Sequence, residues 1–268
     1  AMKMSAIAGI IDLPYNEKIL HAMEMEMICR GPDGHGLFMG NRSAMMHFKL
    51  LTSYDQGGQP VHLHCGKQHY IMVYDGTIYN IDQLRGELAQ AGHICQSECP
   101  EEVIIRAYIR WKEECAAHFR GNFALAIWEE HTGVLFLARD QLGIKPLFYK
   151  QHGDGLLFAS EIKTVLTYPG VRAQLDIEGV SQIVLLGPGR VPGSGVFHGI
   201  KELEPGCCAL FRDGKMQWKR YWKLTDREHT DFFEQTAEKV RRMVTRSIKE
   251  QLAADVPVGT FLSGGLDS

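Results

Sequence analysis

No apolar run in this chain of 268 residues is long enough to cross a bilayer as a helix. The first residues also lack the long apolar stretch of a secretory signal peptide. Neither sign of charge is in large excess, since the formal net charge is only -3 at pH 7. Nothing in the charge therefore indicates nucleic acid or a membrane surface as a partner. We expect a cytoplasmic protein with neither kind of partner.

Metal and disulfide frameworks also lack their usual signatures. The seven cysteines form no CxxC pair, and their odd number favours free thiols over disulfides. Cys95 and Cys99 are four residues apart, but no second pair with zinc spacing follows. His62, His64 and His69 lie close together, and without a confirming set of acids or thiols we interpret them as solvated strand positions.

Hydrophobic residues make up 45% of the chain, which suits a globular protein with one or two cores. Short apolar runs separated by turn residues predict many strands, and periodic segments predict a few helices. We expect Asn16 and Asn80 to cap helices and Asp75-Gly76 to end a strand that begins at His69. The other predicted elements are strands at 7–11, 123–128, 134–139, 148–149, 156–159, 207–211 and 216–218, and helices from 17, over 82–91 and over 101–111.

This mixture predicts an α+β fold, a sandwich of antiparallel sheets with covering helices. The composition changes near Thr225, after which apolar residues recur at helical spacing opposite a charged face. We therefore divide the chain into a domain at 1–225 and the start of a second, α/β domain at 226–268. The apolar stripe of the second segment consists of Phe233, Ala237, Val240, Val244, Ile248 and Leu252.

The segment SGGLDS at 263–268 follows a short apolar run at 256–262 that predicts a buried strand. Two glycines bounded by hydroxyls can turn backbone N–H groups toward an anion. Asp267 would hold Mg²⁺ against the same phosphates. An ordinary turn is the better interpretation of SGG alone, but the full string resembles the pyrophosphate loop of N-type ATP pyrophosphatases. The predicted ATP-binding residues are Leu262, Ser263, Gly264, Gly265, Asp267 and Ser268.

Several strings occur in an order that, taken together, resembles the glutamine-dependent asparagine synthetases, and the resemblance covers essentially the whole chain. Each string alone is a weak signal. The strings are IAGI at 7–10, RGPDG at 30–34, GGQP at 57–60, DGTIYN at 75–80, RDQLGIKPL at 139–147, ASEIK at 159–163, RYW at 220–222 and SGGLDS at 263–268.

The resemblance implies a class II glutamine amidotransferase domain with an N-terminal nucleophile fold, followed by an ATP pyrophosphatase domain. In that family an N-terminal cysteine, with its own α-amino group as base, releases ammonia from glutamine. The ammonia then attacks an aspartyl adenylate made from ATP with Mg²⁺. The implied partners are glutamine or ammonia and an aspartate-like acceptor. The family often pairs its front domains, so a homodimer is one expectation that the sequence leaves open.

The nucleophile position departs from the family pattern. The family begins Met-Cys-Gly-Ile, and Met4-Ser5-Ala6-Ile7 stands at that place. A serine can act as an N-terminal nucleophile, but its hydroxyl ionises far less readily than a thiol. Ser5 also has residues before it in this sequence, so its amine would be free only after processing.

The expected oxyanion and amine contacts depart as well. The family's Asn-Gly-Glu is replaced by Asp75-Gly76-Thr77. An ionised Asp75 has no proton to donate and would repel a developing oxyanion, which leaves the Gly76 N–H as the candidate donor.

Two further contacts of the glutamine pocket have changed. Phe48 or Lys49 stands where the family has an arginine that clamps the glutamine carboxylate, and lysine does not reproduce a bidentate fork. Pro100 stands at the place of an aspartate that binds the substrate amine, a role that proline cannot fill. These changes favour a pocket that no longer hydrolyses glutamine over a working glutaminase.

Three hypotheses follow. In the preferred one, the chain forms the front of an asparagine-synthetase-like ligase that makes a C–N bond through an acyl adenylate. Its glutaminase domain is inactive, and the nitrogen comes from free ammonia or from the substrate's own amine. The second is a working amidohydrolase with Ser5 as nucleophile, and the third is a non-catalytic remnant or scaffold. Arg30 and Asp33 could either shape the pocket mouth or form a structural salt bridge, and both alternatives stay open. We expect Arg139, Asp140 and Lys145 to have a structural role.

Overall fold

In the computed structural model the described residues are 5–50, 58–187, 189–252, 259 and 262–265. Contacts divide them into two compact units. The first contains residues 5–50, 58–187 and 189–223, and the second contains the described residues from 224 onward. The predicted strand at 256–262 lies almost wholly outside the described residues.

The strands lie in two six-stranded antiparallel sheets within the first unit. In chain order they are β1 (Ala6–Ile11), β2 (Gly34–Met39), β3 (Ser43–Lys49), β4 (Val61–Cys65), β5 (Gln68–Ile78), β6 (Gly121–Glu129), β7 (Val134–Arg139), β8 (Phe148–His152), β9 (Gly155–Ala159), β10 (Lys201–Glu202), β11 (Cys207–Arg212) and β12 (Lys215–Arg220). The first sheet has the order β10-β8-β9-β1-β3-β2, and the second has the order β12-β11-β7-β6-β5-β4.

The helices are α1 (Glu17–Met27), α2 (Ile81–Gln90), α3 (Pro100–Trp111), α4 (Cys115–His118), α5 (Ile162–Leu166), α6 (Ile177–Leu186) and α7 (Phe233–Gln251), the last of these in the second unit. A 3-10 turn at Lys112–Glu114 joins α3 to α4.

Three apolar clusters define the layers of the first unit. One lies between the sheets and contains Ile7 and Trp128. A second lies under α1 and α5, and a third lies under α2 and α3. The order helix, sheet, sheet, helix confirms the predicted α+β sandwich of antiparallel sheets.

Several predicted boundaries are confirmed. The Asn16 side chain accepts from the Ile19 N–H at 3.0 Å and caps α1, and Pro100 occupies the first turn of α3.

Two predictions were wrong. Asp75-Gly76 does not end its strand, because Gly76 adopts φ +139 and β5 stays paired with β6 as far as Ile78. The Asn80 side chain does not cap α2 but bonds the Arg120 N–H and the His118 carbonyl.

Helix α6 carries an exposed apolar surface. Ile177 is 87% exposed, Val184 73% and Leu185 79%, whereas Gly179 and Gln182 are buried. In the second unit, the apolar residues of α7 that the sequence assigned to a core-facing stripe are exposed, and this helix has no buried residue.

Candidate functional site

Ser5 lies just before β1, at one end of the first sheet. Its Oγ accepts a hydrogen bond from the Leu50 N–H at 3.1 Å, and its carbonyl accepts one from Arg30 Nε at 3.1 Å. Leu50 follows β3, which pairs with β1. The hydroxyl at the family's nucleophile position is therefore held between the start of one strand and the end of its neighbour.

Arg30 connects Ser5 to two carboxylates. Its Nη1 lies 3.4 Å from Glu161 Oε1, and its Nη2 lies 3.7 Å from Asp75 Oδ2. The guanidinium is mostly buried, and it joins the turn after α1 to both sheets. The salt bridges predicted as one alternative for Arg30 are therefore present, and a role at the pocket mouth stays a prediction.

Asp75 is almost completely buried, with 1% of its surface exposed. It shares the inner face of β5 with Val73, because alternate strand residues point the same way. Its Oδ1 accepts from Lys145 Nζ at 2.9 Å. Burial raises the pKa of the Asp75 carboxyl, while the charges of Lys145 and Arg30 act in the opposite direction. Asp75 is thus buried beside two cations, and its place at the oxyanion position stays a prediction.

The facing atoms of Arg30 and Asp75 are not fully satisfied. Neither Arg30 Nη2 nor Asp75 Oδ2 has a hydrogen-bond partner within the described part of the chain. The two atoms are 3.7 Å apart, so they form an ion pair but no hydrogen bond. A small polar group that donates and accepts at once would satisfy both.

The loop after β7 places Lys145. Asp140 accepts hydrogen bonds from the backbone N–H groups of Phe123, Leu142, Ile144 and Lys145 itself at 2.9 to 3.2 Å. Arg139 donates to the carbonyls of Lys145, Gly143 and Leu203, each at 2.7 Å. The two residues have the structural role that the sequence predicted, and their effect is to bring the Lys145 ammonium to Asp75. Sequence reasoning missed this contact of Lys145, although a buried aspartate calls for a cationic partner.

Phe48 and Lys49 were alternatives for one pocket position. Phe48 packs in the cluster under α1 and its ring stacks on His35, with centroids 5.8 Å apart. Strand alternation places Lys49 on the other face, the face of His47, whose strand partner Ile7 lies in the core between the sheets. Lys49 is therefore the member of the pair on the side of Asp75.

The other predicted pocket residues differ in placement. Gly76 follows Asp75 in β5 and packs against β6, where a Cβ would lie 1.9 Å from the Asn122 carbonyl oxygen. Thr77 and Pro100 are exposed. The structure thus brings together Ser5, Arg30 and Asp75, and it leaves Thr77 and Pro100 at the surface.

Two acidic residues beside Pro100 were not predicted as part of this region. Glu101 is buried. The pKa of Tyr74 is raised mainly by the burial of Tyr74 itself, and next by the negative charge of Glu101. Glu102 accepts from the N–H groups of Gln96 and Ser97, the Ser97 hydroxyl and Arg106 Nε. Burial alone would raise the pKa of Glu102, but these donors lower it to about 2. Glu102 therefore ties the segment before α3 to that helix.

Only part of the predicted phosphate loop is described. Ser263, Gly264 and Gly265 are exposed, Gly264 adopts φ +81, and the Gly265 N–H points to Ser263 Oγ at 3.4 Å. Phosphate binding by this turn stays a prediction. Asp267 and Ser268, predicted for Mg²⁺ and phosphate, lie outside the described residues.

Two searches of the described residues bear on the remaining predictions. No helix there is long and apolar enough to span a membrane. The same residues contain no group of three or more His, Cys, Asp or Glu side chains that could hold a metal ion. All seven cysteines are free thiols, as their odd number predicted.

Charged side chains dominate the candidate site. Acyl transfer needs donors directed at the oxygen that becomes negative. Here the cations Lys145 and Arg30 are directed at the Asp75 carboxylate. The electrostatic field of the site is therefore largely neutralised from within.

Comparison with known families gives two matches in order. Residues 4–222 match the family described as Glutamine amidotransferase domain, and residues 239–268 match Asparagine synthase. A Bacillus subtilis protein, asparagine synthetase [glutamine-hydrolyzing] 3, is 40% identical over 99% of this chain and 44% of its own length. Asparagine synthetase [glutamine-hydrolyzing] 1 of the same organism is 33% identical over 94% of this chain and 40% of its own length. The chain therefore spans less than half the length of these relatives.

A solved structure supports the fold. The glutamine phosphoribosylpyrophosphate amidotransferase of B. subtilis, complexed with ADP and GMP, superposes with a TM-score of 0.59 at 19% identity, covering 83% of this chain and 50% of that one. At this identity the match concerns the fold, which is that of the N-terminal nucleophile amidotransferases.

Proposed function

The chain belongs to the glutamine amidotransferase family, in the branch that is joined to an asparagine synthase domain, and we propose that its amidotransferase site no longer hydrolyses glutamine. The observation that carries this proposal is the contact of 2.9 Å between Lys145 Nζ and the buried Asp75 Oδ1. A carboxylate paired in this way has no proton to donate to a tetrahedral oxyanion. Losing one such donor typically costs about 100- to 1000-fold in rate.

The nucleophile supports the same proposal. Ser5 Oγ accepts from the Leu50 N–H, and a hydroxyl becomes a strong nucleophile only when a base removes its proton. In the N-terminal nucleophile mechanism the base is the amine of the same residue. A serine at this position gives a less readily ionised nucleophile than a cysteine, and Asp75 removes an oxyanion donor, so we propose that both rate contributions are weakened.

We further propose that the whole protein forms a C–N bond in the cytoplasm, with ATP and Mg²⁺ activating an aspartate-like carboxylate as an adenylate. Residues 239–268 match the asparagine synthase family, and the relatives that match are described as asparagine synthetases. The free cysteines support a reducing compartment. The nitrogen would come from free ammonia or from an amine of the acceptor itself. The residues of this chain that would bind the phosphates are those of the loop 262–265, together with Asp267 and Ser268.

Glutamate release from L-glutamine tests the first proposal, using protein in which Ser5 is the first residue. We expect no turnover by the Ser5 protein and at most weak turnover by Ser5→Cys, because Asp75 still has no proton to donate. The double variant Ser5→Cys/Asp75→Asn restores both groups and should be more active than Ser5→Cys. Turnover by the Ser5 protein itself would contradict the proposal and identify a working amidohydrolase.

A separate assay tests the ATP-dependent half. Protein that carries the complete asparagine synthase domain should release pyrophosphate from ATP only when an acceptor carboxylate is added. Absence of such release across a panel of aspartate-like acids would overturn the ligase proposal. The front domain would then be left as a non-catalytic scaffold.

A further inference from the structure

A cleft of about 550 Å³ lies at one edge of the sandwich, where both sheets end. Strand β10 is the end strand of the first sheet and β12 that of the second, and both contribute to its walls. Helix α6 and the segment 192–194 form a third side. Ser5, Arg30 and Asp75 are not among the lining residues, so the cleft is separate from the candidate amidotransferase site. Its volume falls within the range of about 300 to 1000 Å³ that small-molecule sites occupy.

Trp218 forms one wall of the cleft and is unusually exposed for its position. It lies on the inner face of β12, because Met216, two residues earlier, packs in the core between the sheets. A residue on that face is expected to be covered, yet Trp218 is 53% exposed. Its Nε1 donates to the Tyr149 hydroxyl at 2.9 Å, which fixes the indole. A large aromatic side chain that is held in place and left uncovered is typical of a ligand-binding site.

Three of the five charged side chains that line the cleft have partners within the protein. Glu202 is buried, and its Oε1 lies 3.1 Å from Arg139 Nη2 and 3.3 Å from Arg190 Nη2. Arg220 forms an ion pair with Glu204. These three side chains are engaged by the protein itself, so recognition of a charged ligand depends on the other two.

The other two charged residues, Lys201 and Glu178, have opposite signs. Both are exposed, and neither has an ion-pair partner within the described part of the chain. Ser194 adds a hydroxyl, whose Oγ accepts from Gln182 Nε2 at 2.8 Å and from the Val196 N–H at 3.1 Å. Those two bonds fix the oxygen, and its own proton has no acceptor among the described residues. The cleft thus offers an ammonium group, a carboxylate and a hydroxyl donor beside a fixed indole.

We propose that this cleft binds a free α-amino acid with an apolar side chain. The ammonium group of the ligand pairs with Glu178, and its carboxylate accepts from Lys201 and the Ser194 hydroxyl. The apolar side chain covers the Trp218 indole and removes its exposed surface from water. This site goes beyond the proposed function, since it depends neither on the loss of glutamine hydrolysis nor on the ATP chemistry.

Other ligand classes fit the lining less well. A polyanion such as a nucleotide needs several uncompensated cations, and of the two cations that line the cleft Arg220 is already paired with Glu204. A purely apolar ligand would cover Lys201 and Glu178 without giving either a partner, which costs free energy. A zwitterion supplies a partner to both.

Calorimetric titration of the purified chain tests the proposal, with L-leucine and L-phenylalanine as probes. We expect one equivalent of at least one of them to bind. Isocaproate and isoamylamine are analogues of leucine with one charge each, and hydrocinnamate and phenethylamine are the corresponding analogues of phenylalanine. Each analogue should bind about 10-fold or more weakly than its parent amino acid, because one hydrogen-bonded charge is missing.

Three single variants test whether the ligand lies in the cleft. Lys201→Gln, Glu178→Gln and Trp218→Ala each remove one proposed contact and should each weaken binding by about 10-fold or more. All three side chains are exposed, so we expect these variants to fold, which circular dichroism checks. Lys215→Gln is the matched control, because Lys215 is an exposed lysine of β12 that does not line the cleft. Its affinity should equal that of the unaltered chain.

Three results would each overturn the proposal. The first is that neither amino acid binds, and the second is that a folded Lys201→Gln or Glu178→Gln protein keeps full affinity. The third is that an analogue with one charge binds as tightly as its parent amino acid. Glutamate release and pyrophosphate release are measured separately, so a failure here does not count against the proposed function.

Discussion

Lys145 and Asp75 are 70 positions apart in the sequence, and their side chains meet at 2.9 Å at one end of the sandwich. Lys145 is 16% exposed and Asp75 only 1%. Removing one partner of a buried ion pair costs about 3 to 5 kcal/mol, and Arg30, 3.7 Å from Asp75, would offset part of the loss of Lys145. We expect Lys145→Met to lower the free energy of unfolding by about 3 kcal/mol, as measured in urea.

The double variant Lys145→Met/Asp75→Asn separates this charge effect from loss of packing. Because it removes both charges, it should be more stable than Lys145→Met alone. If the double variant is as unstable as the sum of the two single variants, the ion pair makes no net contribution.

Glu102 gives the fold a defined dependence on pH. Its pKa is about 2 in the folded chain against 4.5 for an ordinary glutamate, so its stabilisation is complete above pH 4.5 and is lost as the pH falls toward 2. The size is on the order of 3 kcal/mol. Between pH 5 and pH 2 the unfolding free energy of Glu102→Gln should therefore fall by less than that of the unaltered chain.

Glu98→Gln is the control for this measurement, since the Glu98 side chain is 99% exposed. Its pH profile should follow that of the unaltered chain. A Glu102→Gln profile parallel to the unaltered one would show that the donors around Glu102 do not hold its charge.

Gly76 allows a test of the continuous β5 strand. At φ +139, with the Asn122 carbonyl 1.9 Å from where a Cβ would lie, Gly76→Ala should cost at least about 2 kcal/mol of stability. Gly86 lies in α2 with nothing within 4 Å of its position for a Cβ, so Gly86→Ala should stabilise by about 1 kcal/mol. In thermal unfolding, Gly76→Ala should lower the melting temperature and Gly86→Ala should raise it.

The exposed surface of α6 predicts self-association. Val184→Glu places a charge among exposed apolar side chains and should lower the binding of a hydrophobic dye and raise solubility. Ser181→Glu adds the same charge at an exposed polar position of the same helix and should change neither. Equal effects of both variants would mean that net charge, and not the apolar surface, controls solubility.

Local patterns in the sequence were sufficient for much of the fold. Asn16 capping α1, Pro100 starting α3 and the pairing of β6 with β7 all depend on neighbouring residues. Strands β2 and β3 were not predicted, although they form one side of the first sheet. The end of β5 was misplaced because Asp-Gly usually marks a turn, whereas this glycine adopts a positive φ within a strand to approach β6 closely.

The sequence indicated some residues of the candidate site but not the contacts between them. Resemblance to a family identified Ser5 and Asp75 as altered positions. The partners of Asp75 are Arg30 and Lys145, which come from distant loops, so no local spacing indicates them. Likewise Phe48 and Lys49 could be told apart only by the pairing of β3 with β1.

Asp140 has a consequence for how this end of the molecule can change. It holds four backbone N–H groups, so the path of the chain at position 145 does not depend on which side chain that residue carries. The backbone path is thereby independent of the side chains. The side chains at positions 145 and 75 can be exchanged while the backbone of the loop stays the same. A new pair of side chains at 75 and 145 can therefore replace the present one through two substitutions that keep the backbone path, although either substitution alone lowers stability.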